Sequence, residues 1–327
     1  MKLAVVILNW NGISLLKQFL PSVVQFSKEA TIYVADNAST DGSVAFVKEH
    51  YPAIKIIQNS SNYGFAEGYN QALQQVDADL YALINSDIEV TENWLQPILA
   101  TFENEKNTAI LQPKILDLKR KDYFEYAGAA GGYIDKFGYP FCRGRLFKTV
   151  EKDVGQYNDQ TTIFWASGAC FFIKGDVYKE LKGFDKDFFA HQEEIDLCWR
   201  AINKGYSIQY CPQSVVYHVG GATLQQGNPL KTFLNFRNSL LMLIKNLPKN
   251  QLFTIVFIRM VLDGIAGLQF LFQGKGKHFV AIIKAHIAFY SLFRKNYAKR
   301  DTMQVQHYYN KKSIVYHYFI EKRHVFW

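Results

Sequence analysis

The chain has 327 residues, of which 49% are hydrophobic and 16% aromatic, and this composition excludes a chain that is disordered throughout. Its formal net charge of +8 is unevenly distributed: residues 1–244 carry 23 Lys and Arg against 26 Asp and Glu, whereas residues 245–327 carry 14 against 3. A mildly acidic body therefore precedes a basic C-terminal region. The four cysteines are widely spaced without a C-x-x-C pair, which argues against a disulfide framework and fits a reducing compartment.

Strand and helix patterns alternate over the first part of the chain. Short apolar runs rich in β-branched residues predict strands, and apolar residues at helical spacing predict helices between them. The predicted strands are Leu3–Leu8, Thr31–Ala35, Ile54–Gln58 and Leu80–Ile84. The predicted helices are Ile13–Phe26, Val44–His50 and Phe65–Val76. Alternation at this pitch predicts an α/β fold with a mostly parallel sheet flanked by helices.

The pattern is weaker after residue 110. Residues 110–158 are rich in Gly and Tyr, which predicts irregular strands and loops. The later predicted elements are a strand at Phe164–Lys174, a helix at Glu193–Lys204, a strand at Ser207–His218 and a helix at Pro229–Leu247. We therefore expect one domain over residues 1–247, with halves at 1–110 and 111–247, followed by an extension over residues 248–327.

The extension is basic and apolar. Leu252–Phe272 is long enough to span a bilayer, but Arg259 and Asp263 near its centre would be costly there. A second apolar helix is predicted at Phe279–Phe293, so a helical hairpin lying on an anionic membrane surface fits better than a transmembrane pair. The apolar run at the N-terminus is too short for a signal peptide. We expect a cytoplasmic protein that is peripheral on the inner face of the cell membrane.

Polar side chains follow the predicted strands of the first half. Asn9 and Asn11 follow the first strand, Asp36 the second, Asn62 the third and Asp87 the fourth. Ligands of open α/β sheets bind beyond the carboxyl ends of the strands, so these residues predict a polar site there. Because few cations accompany them, an anionic ligand at this site would require a metal ion.

Six motifs in order resemble those of the family 2 inverting glycosyltransferases, which have a Rossmann-like GT-A fold, and most closely their bacterial rhamnosyltransferase-like branch. The motifs are Val6–Gly12, Asp36–Ser43, Asn62–Asn70, Trp165–Ala169, Gly183–Arg200 and Val216–His218. The resemblance implies inverting transfer of a sugar from a UDP- or dTDP-linked donor, dTDP-rhamnose among them, to a hydroxyl of a cell-surface glycan or lipid-linked acceptor. It also implies a role in polysaccharide biosynthesis at the cell envelope.

The resemblance implies a nucleotide-sugar-binding half at residues 1–110. The implied donor-binding residues are Asn9, Asn11, Asp36, Asn62, Gly64, Asn70 and Asn85. Asp36 would contact the nucleobase, although Asp36, Ser39 and Asp41 are also typical of a turn with a helix N-cap. The segment Asn62–Asn70 would close over the ribose and the diphosphate.

Asn85-Ser86-Asp87 stands where the GT-A fold has its D-x-D motif. Mg²⁺ or Mn²⁺ there would stabilise the negative charge that develops on the leaving nucleoside diphosphate. Asp87 is the expected protein ligand, His218 ranks second and Glu89 is a weaker candidate. A strand end capped by Asp87 and a structural His218 are the open alternatives.

The resemblance implies an acceptor-binding half at residues 111–247. Inverting transfer requires a carboxylate that takes the proton of the acceptor hydroxyl. The resemblance assigns this role to the second acid of a pair, here Glu194, where the family usually has Asp. The implied acceptor-binding residues are Trp165, His191, Glu193 and Asp196. The acids also suit the first turn of a helix, and Asp196 could simply pair with Arg200.

Two other functions remain open at this stage. A sugar nucleotidyltransferase would need cations in its first loop, and Asn9–Gly12 has none. A non-catalytic protein could bind membranes or nucleic acid through the basic C-terminal region, where Tyr308, Tyr309, Lys311 and Lys312 interleave aromatic and basic side chains. The acidic body argues against nucleic acid, and the sequence makes no prediction about the oligomeric state.

Overall fold

The computed structural model describes residues 1–220 and 227–327. The strands within these residues, numbered in chain order, are β1 (Leu3–Asn9), β2 (Thr31–Asp36), β3 (Lys55–Gln58), β4 (Leu80–Asn85), β5 (Ile88–Val90), β6 (Thr108–Asp117), β7 (Gly132–Ile134), β8 (Pro140–Cys142), β9 (Arg145–Leu146), β10 (Thr149–Val150), β11 (Thr161–Thr162), β12 (Cys170–Lys174) and β13 (Ser207–His218). The α-helices are α1 (Ile13–Phe26), α2 (Ser43–His50), α3 (Gly64–Leu73), α4 (Gln96–Asn104), α5 (Gly175–Glu180), α6 (Glu193–Asn203), α7 (Pro229–Asn246), α8 (Leu252–Phe272), α9 (Gly276–Tyr297) and α10 (Ile314–Phe319).

A nine-stranded mixed sheet in the order β11-β13-β6-β12-β4-β1-β2-β3 forms the centre of the molecule, with β5 paired to β13. The pairs β1–β2, β1–β4, β2–β3 and β6–β13 are parallel, whereas β12 runs antiparallel to both of its neighbours. The apolar side chains of β1 and β4 are buried on both faces of the sheet, as expected for parallel strands covered by helices. The predicted α/β fold is confirmed.

Strand β6 lies in the region where we expected irregular structure. It is nearly completely buried and pairs with β12 and β13 near the centre of the sheet. The sequence pattern conceals it because Gln112, Pro113 and Lys114 interrupt the apolar run. Gln112 is buried because its amide donates to the Gly128 carbonyl oxygen at 3.1 Å and accepts from the Ser167 N–H at 2.7 Å. A long-range contact therefore allows a polar residue inside this strand.

The predicted strand Phe164–Lys174 is wrong over its first half, since β12 begins at Cys170. Residues 164–169 instead form an irregular segment in which the Cys170 N–H donates to the Ser167 carbonyl oxygen. Trp165 makes an isolated bridge to Gly132. The small residues Ser167 and Gly168 favour such a turn over a regular strand.

Helices α7, α8 and α9 pack against the body. The inner face of α8 buries Arg259 and Asp263, which pair at 3.0 Å, as the i to i+4 spacing suggested. Arg259 also donates to the carbonyl oxygens of Phe137 and Gly138, both at 3.2 Å. Among the described residues, α8 is the helix whose length and apolar composition would suffice to cross a membrane. Its two central charges are satisfied inside the protein.

The chain after α9 returns to the body. The Tyr308 ring stacks on Trp199 with centroids 4.9 Å apart, and the Ile314 N–H donates to the buried Asp135 carboxylate at 2.9 Å. Near the C-terminus, the Phe326 N–H donates to Glu151 at 3.0 Å. Residues of the extension therefore cover the small sheet β7–β10 and the back of α6. The domain boundary after residue 247 stays a prediction.

Candidate active site

The carboxyl ends of β1 and β2 place Asn9 and Asp36 side by side in register. The Asn9 amide donates to Asp36 Oδ1 at 3.1 Å, and the Ser39 N–H donates to Asp36 Oδ2 at 2.9 Å. Asp36 is only 1% exposed. The geometry supports the alternative interpretation, in which Asp36 shapes a turn, and its contact with a nucleobase stays a prediction.

The loop after β1 is joined to the loop after β2 through Asn11. The Asn11 side-chain oxygen accepts from the Thr40 N–H at 2.8 Å, and the Asn11 N–H donates to Ser39 Oγ at 2.8 Å. Between Asn9 and Asn11, the Trp10 side chain is 49% exposed. Trp10 was not among the predicted donor-binding residues. The available signal was a large aromatic residue directly after a buried strand on the ligand side of the sheet.

Two buried amides hold the loop that contains Asn62 and Gly64. The Asn37 amide donates to the Gly64 carbonyl oxygen at 2.8 Å, and Asn59 donates to Asn37 Oδ1 at 2.7 Å. The Asn62 side chain accepts from the Gly64 N–H at 3.0 Å, which closes a turn. Asn37 directly follows the end of β2, and Asn59 directly follows the end of β3. The structure shows that they fix this loop to the sheet.

Asn70 was expected to bind the donor; this stays a prediction, and in the structure its side chain links two parts of the protein. Its amide donates to Glu67 at 3.0 Å and to the Phe184 carbonyl oxygen at 2.9 Å. Its oxygen accepts from the Tyr178 hydroxyl at 2.7 Å and the Phe184 N–H at 2.9 Å. Both polar atoms are satisfied by the protein, so Asn70 joins α3 to the segment before α6. The donor site that we propose does not include it.

The N-terminus of α3 contacts the loop before α6. The N–H groups of Phe65 and Ala66 donate to the Phe189 carbonyl oxygen at 2.9 and 3.3 Å. Gly64 has φ +75°, and a Cβ at this position would lie 2.6 Å from the Phe189 ring. These two N–H groups are therefore occupied rather than open to a diphosphate. Gly64 is required here for close approach to Phe189.

The turn between β4 and β5 brings Asn85 and Asp87 to the same end of the sheet. Asp87 Oδ1 lies 3.1 Å from His218 Nε2, and the other ring nitrogen lies 3.3 Å from Glu125. Burial opposes a charged imidazole, but the carboxylates of Glu125 and Asp87 outweigh it and raise the pKa of His218 to about 10. The sequence missed Glu125, which lies in the weakly patterned region. Glu89 pairs with Lys121 at 2.8 Å and is therefore already neutralised.

Asp87 and His218 fit a divalent ion once the ion displaces the proton that the raised pKa of His218 retains, since a ligating ring nitrogen must be unprotonated. Two neighbouring ligands of an octahedral ion with bonds of about 2.1 Å are about 3 Å apart, close to the distance between Asp87 Oδ1 and His218 Nε2. Glu125 lies where a carboxylate commonly orients a ligating imidazole. In the part of the chain that the structure describes, no group of three or more His, Cys, Asp or Glu side chains could hold a metal ion. Further ligands would have to come from a bound nucleotide and water.

The start of α6 has a concentration of unsatisfied polar groups. Four consecutive residues each carry a buried side-chain atom without a hydrogen-bond partner among the described residues: His191 Nε2, Gln192 Oε1, Glu193 Oε2 and Glu194 Oε2. Buried polar atoms are normally paired, so four orphans in sequence indicate a ligand-binding surface. Burial and the nearby Lys231 lower the pKa of His191 to about 4, so its ring is neutral at pH 7.

Glu194 is the more accessible acid of the pair, since Glu193 is 4% exposed. Burial raises the pKa of Glu194 to about 7, and burial together with the Glu194 carboxylate raises the pKa of Glu193 well above its usual value. Glu194 faces Gly168, where an added Cβ would lie 3.9 Å from Glu194 Cβ and 3.3 Å from the Phe65 ring. The absence of a side chain at Gly168 thus lets Glu194 approach Phe65 at the start of α3.

Asp196 does not face a ligand. It is fully buried and accepts from Arg200 Nε, Lys245 Nζ and the Asn246 amide, each at 2.8 Å. Burial alone would raise the pKa of Asp196, but Lys245 and Arg200 hold it below its usual range. The expected acceptor contact stays a prediction that this geometry does not favour, and the alternative Asp196–Arg200 pair is present.

Trp165 was also expected to contact the acceptor, and this stays a prediction that its surroundings do not favour. It is 2% exposed, and its indole N–H donates to the Tyr133 carbonyl oxygen at 2.8 Å. Its ring lies against Gly132, where any Cβ would overlap the indole. Trp165 therefore packs inside the acceptor half rather than offering a face to a sugar.

The sequence of this chain is similar to those of known proteins. A family model for glycosyl transferase family 2 matches residues 4–181. The chain belongs to this family. An N-acetylglucosaminyl-diphospho-decaprenol L-rhamnosyltransferase of Mycobacterium tuberculosis is similar to it, with 24% identity over 222 residues that cover 62% of this chain and 71% of the relative. The rhamnosyltransferase-like resemblance is confirmed.

Solved structures share the GT-A fold of this family 2 transferase. S. aureus TarS 1-349 in complex with UDP-GlcNAc superposes with a TM-score of 0.59 at 14% identity, covering 92% of this chain and 84% of that chain. The mannosyltransferase PcManGT of Pyrobaculum calidifontis, in complex with GDP-Man and Mn²⁺, gives a TM-score of 0.54 at 12% identity over 88% and 87% of the two chains. The protein is a glycosyltransferase that uses a nucleotide-sugar donor, and this excludes the nucleotidyltransferase and non-catalytic alternatives.

Proposed function

We propose that the protein transfers a sugar, with inversion, from a UDP- or dTDP-linked donor to a hydroxyl of a lipid-linked glycan. The observation that carries this proposal is Glu194, a half-buried acid with an unpaired oxygen at the start of α6. A carboxyl whose pKa is raised to about 7 is suited to act as a general base at neutral pH. The relative that transfers L-rhamnose supports dTDP-rhamnose as the first donor to test.

Glu194 takes the proton from the acceptor hydroxyl while the hydroxyl oxygen attacks the anomeric carbon from the side opposite the nucleotide. The bond from that carbon to the diphosphate oxygen breaks in the same step, so the configuration inverts without a covalent intermediate. Asp196 is neutralised by Lys245 and Arg200, which leaves the pair Glu193 and Glu194 at this surface. The unpaired atoms of His191 and Glu193 are placed to bind acceptor hydroxyls.

Asp87 and His218 would hold Mg²⁺ or Mn²⁺ at the end of β4 and β13, with Glu125 orienting the imidazole. The ion would offset the negative charge on the departing nucleoside diphosphate. The relevant donor contacts of the chain itself are the amides Asn9, Asn11, Asn62 and Asn85. The half-exposed indole of Trp10 provides a surface on which a nucleobase can stack.

The acceptor is a sugar on a lipid diphosphate, a class suggested by the printed name of the mycobacterial relative. The outer face of the α8–α9 hairpin suits a protein that meets such an acceptor at a membrane. Its exposed large apolar residues are Phe253, Phe257, Val261, Ile265, Leu268, Phe272, Val280, Ile283, Ile287 and Tyr290. Their spacing of three or four residues places them along one face of each helix.

Only part of the basic charge in the extension is available to lipids. Arg259 pairs with Asp263, and Lys295 and Lys299 pair with acids of the body. The exposed cations Lys275, Lys277, Lys284 and Arg294 remain on the hairpin. We propose that these cations and the apolar face bind the anionic inner surface of the cell membrane peripherally.

Vesicle sedimentation tests the membrane contact. The wild-type protein should sediment with vesicles containing an anionic phospholipid, and Phe257→Ser/Ile265→Ser should reduce the bound fraction several-fold. Val154→Ser, an exposed apolar residue of the acceptor half, is the matched control and should bind normally. Equal binding of all three proteins, or binding to RNA in place of vesicles, would contradict this part of the proposal.

The transfer reaction is tested by screening nucleotide sugars for nucleotide release with Mg²⁺ or Mn²⁺ and an extracted lipid acceptor. Glu194→Gln should lower kcat by about 100-fold to 10,000-fold, because it cannot accept a proton. Glu105→Gln, at an exposed acid, is the control. Full activity of Glu194→Gln excludes this residue as the base, and a product with retained configuration excludes the inverting mechanism.

A further inference from the structure

The loop immediately before α6 has an unusual backbone. Phe189, His191 and Gln192 have φ values of +63°, +70° and +73°. Residues with a bulky side chain rarely adopt these left-handed conformations, because they strain the backbone. Contacts from elsewhere must therefore hold residues 188–192 in this shape.

Asn238 of α7 provides those contacts. Its side-chain amide lies 2.9 Å from the Phe188 carbonyl oxygen, 2.9 Å from that of Ala190 and 2.7 Å from that of His191. Asn238 is 0% exposed, so these bonds form away from water. Two amide hydrogens thus serve three carbonyl oxygens of the loop, with one hydrogen shared.

Arg237 sets the direction of this amide. Arg237 Nε donates to Asn238 Oδ1 at 2.9 Å, which leaves the Asn238 nitrogen facing the loop. Another guanidinium nitrogen of Arg237 donates to the carbonyl oxygens of Asp187 at 2.9 Å and Phe188 at 3.1 Å. The two residues together contact four of the five carbonyl oxygens of residues 187–191, all except that of Phe189.

The Phe189 carbonyl faces the other way. It accepts from the N–H groups of Phe65 and Ala66 at the start of α3, as described above. The positive φ at Phe189 rotates the peptide plane there, so that the Phe189 carbonyl oxygen points away from α7 and toward α3. The loop is therefore fixed to α7 on one side and to α3 on the other. Helix α6, which contains Glu194, follows the loop directly.

We propose that Asn238, oriented by Arg237, is a positioning residue for sugar transfer. It holds residues 188–192 so that Glu194 and His191 meet the donor at the distance required for reaction. A misplacement of about 1 Å can lower a rate by about 100-fold, so these bonds matter for turnover more than for stability alone. The inference rests on the proposed function, since it concerns the same site.

Asn238→Asp tests the proposal with almost no change of shape, because the carboxylate lacks the N–H donors that the three carbonyls require. Asn238→Ala is the second variant, in case the added charge impairs folding. Asn235→Asp is the matched control, because Asn235 lies on the same helix and its amide donates within that helix to the Lys231 carbonyl oxygen at 2.9 Å. All are compared as full-length protein.

Four measurements separate positioning from loss of folded protein. They are the thermal midpoint, the affinity for UDP with Mn²⁺, hydrogen exchange of residues 185–194, and transfer kinetics including the ratio of donor hydrolysis to transfer. In Asn238→Asp we expect faster exchange of the loop, a kcat for transfer lower by about 100-fold, more hydrolysis per transfer, and UDP affinity within twofold of wild type. Asn235→Asp should match the wild type in all four.

Unchanged loop exchange or a transfer kcat within threefold of wild type would overturn the proposal. The proposal would also be overturned if the transfer rate and the amount of bound UDP fell by the same factor while the ratio of donor hydrolysis to transfer stayed constant. Such a result indicates that a smaller fraction of the protein is folded. A wild-type protein that transfers no sugar would instead contradict the proposed function. In that case, the exchange measurement alone still decides whether Asn238 holds the loop.

Discussion

Residues 1–104 and residues 105–327 are organised differently. In the first region each strand and helix has its own local pattern, and parallel register then brings Asn9 and Asp36 together. In the second region, polar contacts between distant residues determine the structure, as for Gln112 with Ser167 and Asn238 with Ala190. The difference shows that one site can be built half from local sequence and half from long-range contacts.

The two regions also differ in what their polar residues do. On the acceptor side, Asp196 has the right chemistry for a sugar contact but is neutralised by Lys245 and Arg200. Lys245 in turn reaches Asp185 at 2.6 Å, and Lys299, two residues after the end of α9, contacts Asp185 at 2.6 Å. A charged network therefore connects α6, α7 and the segment after α9 behind the candidate base.

The largest effect is expected from breaking this network. Asp196→Asn should lower the free energy of unfolding by about 3 kcal/mol, because Arg200 and Lys245 lose the buried carboxylate that they share and Lys245 keeps only Asp185. Urea denaturation measures the loss. Asp77→Asn in the first region is the control, since Asp77 pairs with Lys2 at 2.9 Å in full solvent exposure and should change little. Equal effects of the two substitutions would contradict the proposed contrast.

The next effect concerns the metal ligands of the donor side. Asp87→Asn should lower kcat by about 100-fold at a fixed Mn²⁺ concentration and raise the Mn²⁺ concentration needed for half-maximal rate. Glu89→Gln is the matched control, because Glu89 is two residues further on and pairs with Lys121. Nucleotide release is followed against Mn²⁺ after treatment with EDTA. A similar loss in both variants would exclude Asp87 as the specific ligand.

A smaller effect is expected from pH. The donor-side amides do not titrate, whereas Glu194 has a pKa of about 7 and must be ionised to accept a proton. Activity should therefore fall as the pH drops below 7, with kcat/KM about tenfold lower at pH 6 than at pH 8. Rates measured at constant ionic strength give this fall of kcat/KM at low pH. The control Glu105→Gln should show the same pH profile as the wild type. A flat profile between pH 6 and 8 would exclude Glu194 as the titrating base.

The sequence predicted which end of the sheet carries the site better than it predicted the individual side-chain contacts. Strand ends located Asn9, Asn11, Asn85 and Asp87 on the ligand side, because alternating strands and helices impose that geometry. The resemblance separated Glu194, as the base, from Asp196, as an acceptor contact. It could not show that Asp196 is paired with Lys245, because Lys245 lies on a distant helix. Glu125 and Asn238 were missed for the same reason, because their partners are about 50 or more residues away.

The contact between the two regions can be tested at Gly64. A Cβ there would lie 2.6 Å from the Phe189 ring, and the φ of +75° adds backbone strain. Gly64→Ala should therefore displace Phe189 and lower kcat/KM by about tenfold. In a Phe189→Ala background the same substitution should cost less, because the ring is absent. The backbone strain and the contact of the added Cβ with the carbonyl oxygen of residue 189, at 2.8 Å, remain.

Gly205→Ala separates strain from contact. Gly205 has φ +90° with nothing within 4 Å of an added Cβ, so this substitution imposes similar strain without touching another side chain. It should lower the thermal midpoint and leave kcat/KM unchanged. If Gly64→Ala lowers kcat/KM by the same factor with and without the Phe189 ring, the loop that contains Gly64 and the loop before α6 act independently. A coupling between the two substitutions instead means that Phe189 transmits the position of the donor-side loop to the segment that ends at Glu194.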